Sequence, residues 1–170
     1  MIIGIGGVSR SGKTTLAKRL ARHFREQRLT TVILHQDDFV FPEEEIPKIR
    51  GKTDWEHPGS IDFERFRQAI LKASTTHDIV IAEGLMAFYD EATNALYDKC
   101  FFLEVSRETF MERKSQDLRW GKEPDWYMVH IWESFQQFGQ PRQPLPEIFV
   151  IDGEETAVDW EELLQFLNFS

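Results

Sequence analysis

The amino end of the chain carries a pattern that few folds can accommodate. Gly7, Val8, Ser9, Arg10, Ser11, Gly12, Lys13 and Thr14 fit G-x-x-x-x-G-K-[ST], a loop whose main-chain N–H groups wrap a polyphosphate. Residues 1–6 form a short apolar, β-branched run that reads as a buried strand. Residues 14–27 place Leu16, Ala17, Leu20, Ala21 and Phe24 at helical spacing. A strand that passes through such a loop into a helix brings the positive helix N-terminus to the phosphates. In this reading Lys13 reaches the β and γ phosphates, the Thr14 hydroxyl binds Mg²⁺, and Thr15 completes the phosphate-binding set. A dinucleotide fingerprint fits less well, because Ser9 stands where the third glycine of G-x-G-x-x-G would follow Gly4 and Gly6.

The length, 170 residues, predicts one domain (1–170) with a core of real size. Hydrophobic residues make up 41% and there are 14 Phe, which suits a packed globule. The formal net charge of −9 argues against a general nucleic-acid binder or a protein that coats anionic membranes, since both need a basic face. A local phosphate site is compatible with that charge. The single cysteine, Cys100, excludes an intrachain disulfide and sits in an apolar run that reads as a buried strand. No apolar run approaches the ~20 residues of a membrane span. The short apolar start leads straight into the loop, unlike a leader peptide. The expected location is the cytoplasm.

Further strands are predicted over 31–34, 78–83, 99–105 and 147–151. Helices are predicted over 61–73 with Ser60 as its cap, then 86–98, 107–119, 125–138 and 159–169. Strands that are continuous apolar runs and alternate with helices indicate a parallel sheet covered on both faces. The fold class is therefore α/β, a three-layer arrangement of five parallel strands with helices on both sides. The segment 36–59 is long for a connection, which marks it as functional. Residues 113–122 are basic in an acidic chain.

Ligands of such sheets sit beyond the C-terminal strand ends, where three segments should meet. One is the phosphate loop. Another is His35, Gln36, Asp37, Asp38 and Phe39. Phosphoryl transfer to an alcohol needs a carboxylate beside the attacking hydroxyl, and Asp37 is the candidate base. Asp38, pointing to the other side, reads as a cap or loop hydrogen bonder. The third is the strand ending in Glu83 and Gly84, where Glu83 would hold Mg²⁺ or its waters.

Taken together, Gly7 to Thr14, Gln36-Asp37-Asp38-Phe39, Asp54-Trp55-Glu56-His57-Pro58, Glu83-Gly84, His130-Ile131-Trp132 and Ile151-Asp152-Gly153 make the chain resemble the uridine kinase superfamily of P-loop kinases, and within it the nicotinamide riboside kinases most. The resemblance spans nearly the whole chain. It implies a P-loop kinase fold with a small helical lid near 107–140, ATP as co-substrate with Mg²⁺, and a small nucleoside as acceptor. It implies that Asp37 is the catalytic acid–base group, that Trp55 stacks on the nicotinamide ring and that Glu56 binds the ribose hydroxyls, one methylene longer than the family's Asp. Glu83 corresponds to the acid near the metal. Arg113 and Arg119 are the better candidates for lid arginines, Lys114 and Lys122 the weaker ones. His130 would lie near the substrate pocket.

A pyridinium cation suits this pair of side chains, because a Trp face attracts a cation by ~0.5–2 kcal/mol and Glu56 adds negative charge. Other readings stay open at this point. Trp55 could be core beneath the long loop, and His130 a packed helix residue. Residues 73–79 leave no room for the tyrosine-bearing hairpin usual in uridine kinases, which speaks against uridine or cytidine without removing them. Another small alcohol such as pantothenate is a further alternative. A nucleotide switch would need N-K-x-D, and Gly51-Lys52-Thr53-Asp54 lacks its Asn; a non-catalytic subunit would not need both Lys13 and Asp37. Neither nucleic acid nor membrane is an expected partner, and the chain is expected to be a monomer or homodimer.

Overall fold

Strand β1 (Ile2–Gly7) occupies the centre of a five-stranded sheet. The computed structural model describes residues 1–118, 121–155 and 158–168. Beside β1 lie β5 (Ile79–Gly84) and β6 (Lys99–Glu104), and outside these lie β2 (Thr31–His35) and β7 (Ile148–Asp152). The order is β2-β5-β1-β6-β7, and every pairing is parallel. The five-stranded parallel sheet expected from the apolar runs is thus present.

The period of two along each strand sorts side chains into two cores. Ile3, Ile5, Ile79, Ile81, Phe101 and Leu103 face helix α1 (Lys13–Glu26) and helix α6 (Trp160–Phe166). Val80, Ala82, Cys100 and Phe102 face the opposite side. There they meet Phe66 and Ile70 of α2 (Phe63–Ser74), Phe110 of α4 (Arg107–Ser115) and Ile131 of α5 (Asp125–Ser134). Helices therefore cover both faces. Each fully buried large apolar side chain contributes roughly 1.5–3 kcal/mol, so the central strands hold the loop ends in fixed positions.

Two local expectations are corrected. Asp62 caps α2 in place of Ser60, its carboxylate accepting from the Arg65 N–H at 2.9 Å. Ile61 is extended because it bridges to Val40, so the helix cannot start before residue 63. Ser60 belongs to a 3₁₀ turn, Pro58–Ser60, and donates to the Trp55 carbonyl at 2.8 Å. Over 86–98 the only helix is α3 (Glu91–Asn94). Side chains take the preceding carbonyls: Tyr97 donates to Ala87 O at 2.9 Å and Asn94 to Phe88 O at 3.1 Å. That satisfies the backbone without a helix.

The helix expected over 107–119 ends at Ser115, and the one over 125–138 passes into a π turn, Phe135–Gly139. The long connection after β2 is ordered by 3₁₀ turns Gln36–Asp38 and Glu43–Glu45. Between that second turn and Pro58 lies a hairpin, β3 (Lys48–Ile49) and β4 (Lys52–Thr53). Its two-residue loop, Arg50 and Gly51, has positive φ at both positions (48° and 77°), as tight hairpins require. Among the described residues no helix is long and apolar enough to cross a membrane.

Candidate active site

The phosphate loop turns β1 into α1. Gly7 has φ +144°, and a Cβ there would come within 2.7 Å of Leu103 O, so the position tolerates no side chain. Gly12 begins the helix in the left-handed region (φ 105°) and supplies no capping side chain, and the first turn contains no acid. Four other helices contrast with it, and α5, which likewise has no side-chain cap, carries Asp125 in its first turn. Asp62, Asp90, Ser106 and Asp159 cap α2, α3, α4 and α6, and each of these helices has an acid in its first turn. The N–H groups at the start of α1 are thus left to an external acceptor, with no negative side chain competing. Ser11 Oγ is buried with no hydrogen-bond partner among the described residues. The Lys13 ammonium donates to Val8 O at 2.9 Å.

Glu83 is the penultimate residue of β5, where the register sets it level with Ile5 and His35. Its Oε1 accepts from the Thr14 hydroxyl at 2.7 Å and lies 2.7 Å from His35 Nδ1. A carboxylate only accepts, so Nδ1 carries the proton. Sequence reasoning passed over His35; its place at the end of a strand beside the one ending in Glu83 was the available signal. Thr14 and Glu83 offer the oxygen donors that suit a hard cation such as Mg²⁺, which takes most of its shell from water and phosphates.

Asp37 follows in the 3₁₀ turn. The residue is exposed at its surface, but the protein crowded around its carboxyl strips it of water and raises it above the usual carboxylate range; Lys13 opposes that shift, and the charges of Glu83 and Asp38 add to it. Gln36 holds this turn. Its amide donates to Met86 O at 3.1 Å and accepts from Met86 N at 3.0 Å. Gly84 permits the approach, because a Cβ there would lie 2.5 Å from the Gln36 side chain. Sequence reasoning did not single out this clamp. Asp38 is exposed, and its carbonyl accepts from Arg65 at 2.8 Å.

Beyond Asp37 the loop presents Trp55, which is 43% exposed and so is not a core residue. Glu56 is half-buried. Burial, then the nearby charge of Asp37, pushes its carboxyl up to about 7; Lys114 works against this. His130 on α5 lies 2.8 Å from Asp54 Oδ1. Lys114 is buried, its ammonium 2.9 Å from Glu123, so it is not a solvated helix residue. Lys122 is exposed.

On the other side of the phosphate loop a cleft of about 240 Å³ is lined by Ser11, Thr15, Arg19, Arg113, Gly153 and Val158, among others. Arg113 donates to Gly153 O at 2.9 Å and Arg10 O at 3.3 Å, which ties α4 to the loop. Arg119, expected beside it, lies outside the described residues. The structure thus gathers Lys13, Thr14, Asp37 and Glu83 at the strand tips. Trp55, Glu56 and His130 lie on the side of the 36–60 connection, and Arg113 lies at the opposite cleft.

A parallel sheet in this order, with an uncapped phosphate loop on its central strand and acids at the tips of its neighbours, is a P-loop kinase fold. No family model matches the chain. Human nicotinamide riboside kinase 1 is 28% identical to it, over 98% of this chain and 93% of the relative. Uridine kinase of Leuconostoc citreum is 26% identical, over 93% and 90% respectively. A solved structure of a possible uridine kinase from Bacillus stearothermophilus superposes with a TM-score of 0.56 at 20% identity, covering 88% of each chain. The two curated relatives support a place for the chain in the uridine kinase superfamily, and the solved structure shares its fold.

Proposed function

We propose that the chain is an ATP-dependent kinase that transfers the γ-phosphoryl group to the ribose 5′-hydroxyl of a small nucleoside, with nicotinamide riboside as its acceptor. Support for a nucleoside kinase comes from the relatives named nicotinamide riboside kinase and uridine kinase. Support for the acceptor comes chiefly from one observation: an exposed Trp55 next in sequence to Glu56, whose carboxyl feels the charge of Asp37. A cationic ring stacked on the indole would meet a carboxylate beside it, and the sugar would then lead toward Asp37.

The residues divide the work as follows. Main-chain N–H groups of residues 7–15 and the Lys13 ammonium hold the phosphates. Thr14 and Glu83 would hold Mg²⁺, which when bound screens the charge of the β and γ phosphates. Asp37 accepts the proton of the attacking hydroxyl as the new O–P bond forms and the bridging β–γ O–P bond breaks. Its raised pKa makes it a stronger base than an ordinary carboxylate. Gln36 fixes Asp37 relative to the end of β5. Arg113 would neutralise charge and, with α4 and α5 as the lid, exclude water. Glu56 accepts from ribose hydroxyls.

The test is a panel assay with ATP, Mg²⁺ and nicotinamide riboside, uridine, cytidine and pantothenate, with product identified by mass. A 5′-monophosphate formed fastest from nicotinamide riboside is expected. A preference for uridine would overturn the acceptor assignment, and no transfer to any ribonucleoside would overturn the kinase reading.

A further inference from the structure

His130 does not act alone, and the geometry points to its role. We infer that His130 is a positioning residue: through Asp54 it clasps the acceptor-binding loop to helix α5 and sets where Glu56 stands. The inference rests on the nucleoside-kinase reading for its kinetic consequence, though not for the clasp itself.

One oxygen carries the argument. Asp54 Oδ1 accepts the Glu56 main-chain N–H at 3.2 Å and is 2.8 Å from His130 Nε2. An ionised carboxylate offers no proton, so Nε2 is the donor. The two donors come from places 74 residues apart, positions 56 and 130. Asp54 is buried, in surroundings where an unmet carboxylate is costly, so it holds both donors firmly. The Asp54 carboxylate thus joins the backbone of one proposed substrate residue to a helix of the proposed lid.

The rest of the loop is braced so that this joint decides its position. Asp54 N donates to Pro47 O at 2.8 Å, and Ser60 Oγ donates to Trp55 O at 2.8 Å. Trp55 and Glu56 therefore move with Asp54 as a unit. Helix α5 offers two contacts four residues apart on one face: Arg50 lies over the Trp126 ring at 4.9 Å, and Asp54 meets His130. The first is exposed and adaptable. The second is short, charge-assisted and half-buried, which is the kind of bond that fixes geometry. The Tyr127 hydroxyl on the same helix faces the Trp55 backbone and Glu56, which leaves Asp54 Oδ1 to His130 and the Glu56 N–H.

The test compares His130→Ala, His130→Gln and Asp54→Ala in the full chain. Gln can place its amide donor near the position of Nε2; Ala cannot. Amide hydrogen exchange by NMR reads the clasp directly, without any substrate. Glu56 N–H is expected to exchange about tenfold faster in His130→Ala and in Asp54→Ala, and His130→Gln to recover most of the protection. With nicotinamide riboside, KM for the acceptor is expected to rise about tenfold in His130→Ala, with affinity for a non-hydrolysable ATP analogue within about twofold of the parent. Unchanged Glu56 exchange in His130→Ala, or no recovery in a folded His130→Gln, would overturn the clasp. A clasp seen by exchange in a chain that phosphorylates no nucleoside would leave the positioning intact and defeat the functional reading instead.

Discussion

Replacing Glu56 by Gln should make the protein more stable and a poorer nucleoside binder at the same time. Burial and the neighbouring Asp37 charge move the Glu56 carboxyl from 4.5 to about 7. The sign follows from proton counting. Between about pH 4.5 and 7 the folded chain keeps a proton that the unfolded chain has released, so stability falls as pH rises through that window. At about 1.4 kcal/mol per pH unit the loss is at most about 3.5 kcal/mol above pH 7, and partial exposure of the residue reduces it to about 1–3 kcal/mol. A carboxamide of the same shape does not ionise. Urea denaturation should therefore show Glu56→Gln nearly equal to the parent at pH 4.5 and about 1–3 kcal/mol more stable at pH 8. Affinity for nicotinamide riboside should move the other way. A cation needs the ionised Glu56, so the parent's affinity should climb as pH rises through about 7, and the variant should lose that climb with about tenfold weaker binding at pH 8. Equal stability differences at the two pH values, or a variant less stable at pH 8, would refute the reasoning about burial. A parent whose affinity for the cationic nucleoside is flat between pH 6 and 8 would refute the link between that carboxyl and the substrate.

Three further outcomes are expected. Asp37→Asn should lower kcat by about 10²–10⁴-fold, the usual range for loss of a general base, with ATP-analogue affinity retained in calorimetry. Gln36→Leu removes both bonds to Met86 and leaves its buried N–H unmet, while Met86 O keeps the Tyr89 N–H at 3.1 Å, so it should cost roughly 1–3 kcal/mol in chemical denaturation and lower kcat more than it raises KM for ATP. Asp62→Ala strips the cap from α2 and should cost about 1 kcal/mol, lowering Tm by about 2–4 °C without altering acceptor KM; a Tm equal to the parent's would show that the Arg65 N–H finds another acceptor.

What the sequence alone determined was local. The phosphate loop is contiguous, and its glycines answer to backbone conformation at their own positions, so Gly7, Gly12, Lys13 and Thr14 were legible as a site. The apolar runs were legible as parallel strands because burial on both faces removes the polar half of the alternation. Asp37 and Glu83 could be placed at strand tips for the same reason. Helix boundaries were less legible wherever a distant partner competed with the helix: Val40 holds Ile61 extended, and Tyr97 and Asn94 take the carbonyls before α3. Tertiary structure alone decided the pairings across long sequence gaps. His35 meets Glu83 across 48 residues, Gln36 meets Met86 across 50, and Asp54 meets His130 across 76. Such pairs leave no periodic trace in a sequence, because each partner satisfies only its own local pattern until the sheet order brings them together. They also set which protons are held and where Glu56 stands, and this is why the chemistry of the loop could be read early and the acceptor side only from the folded chain.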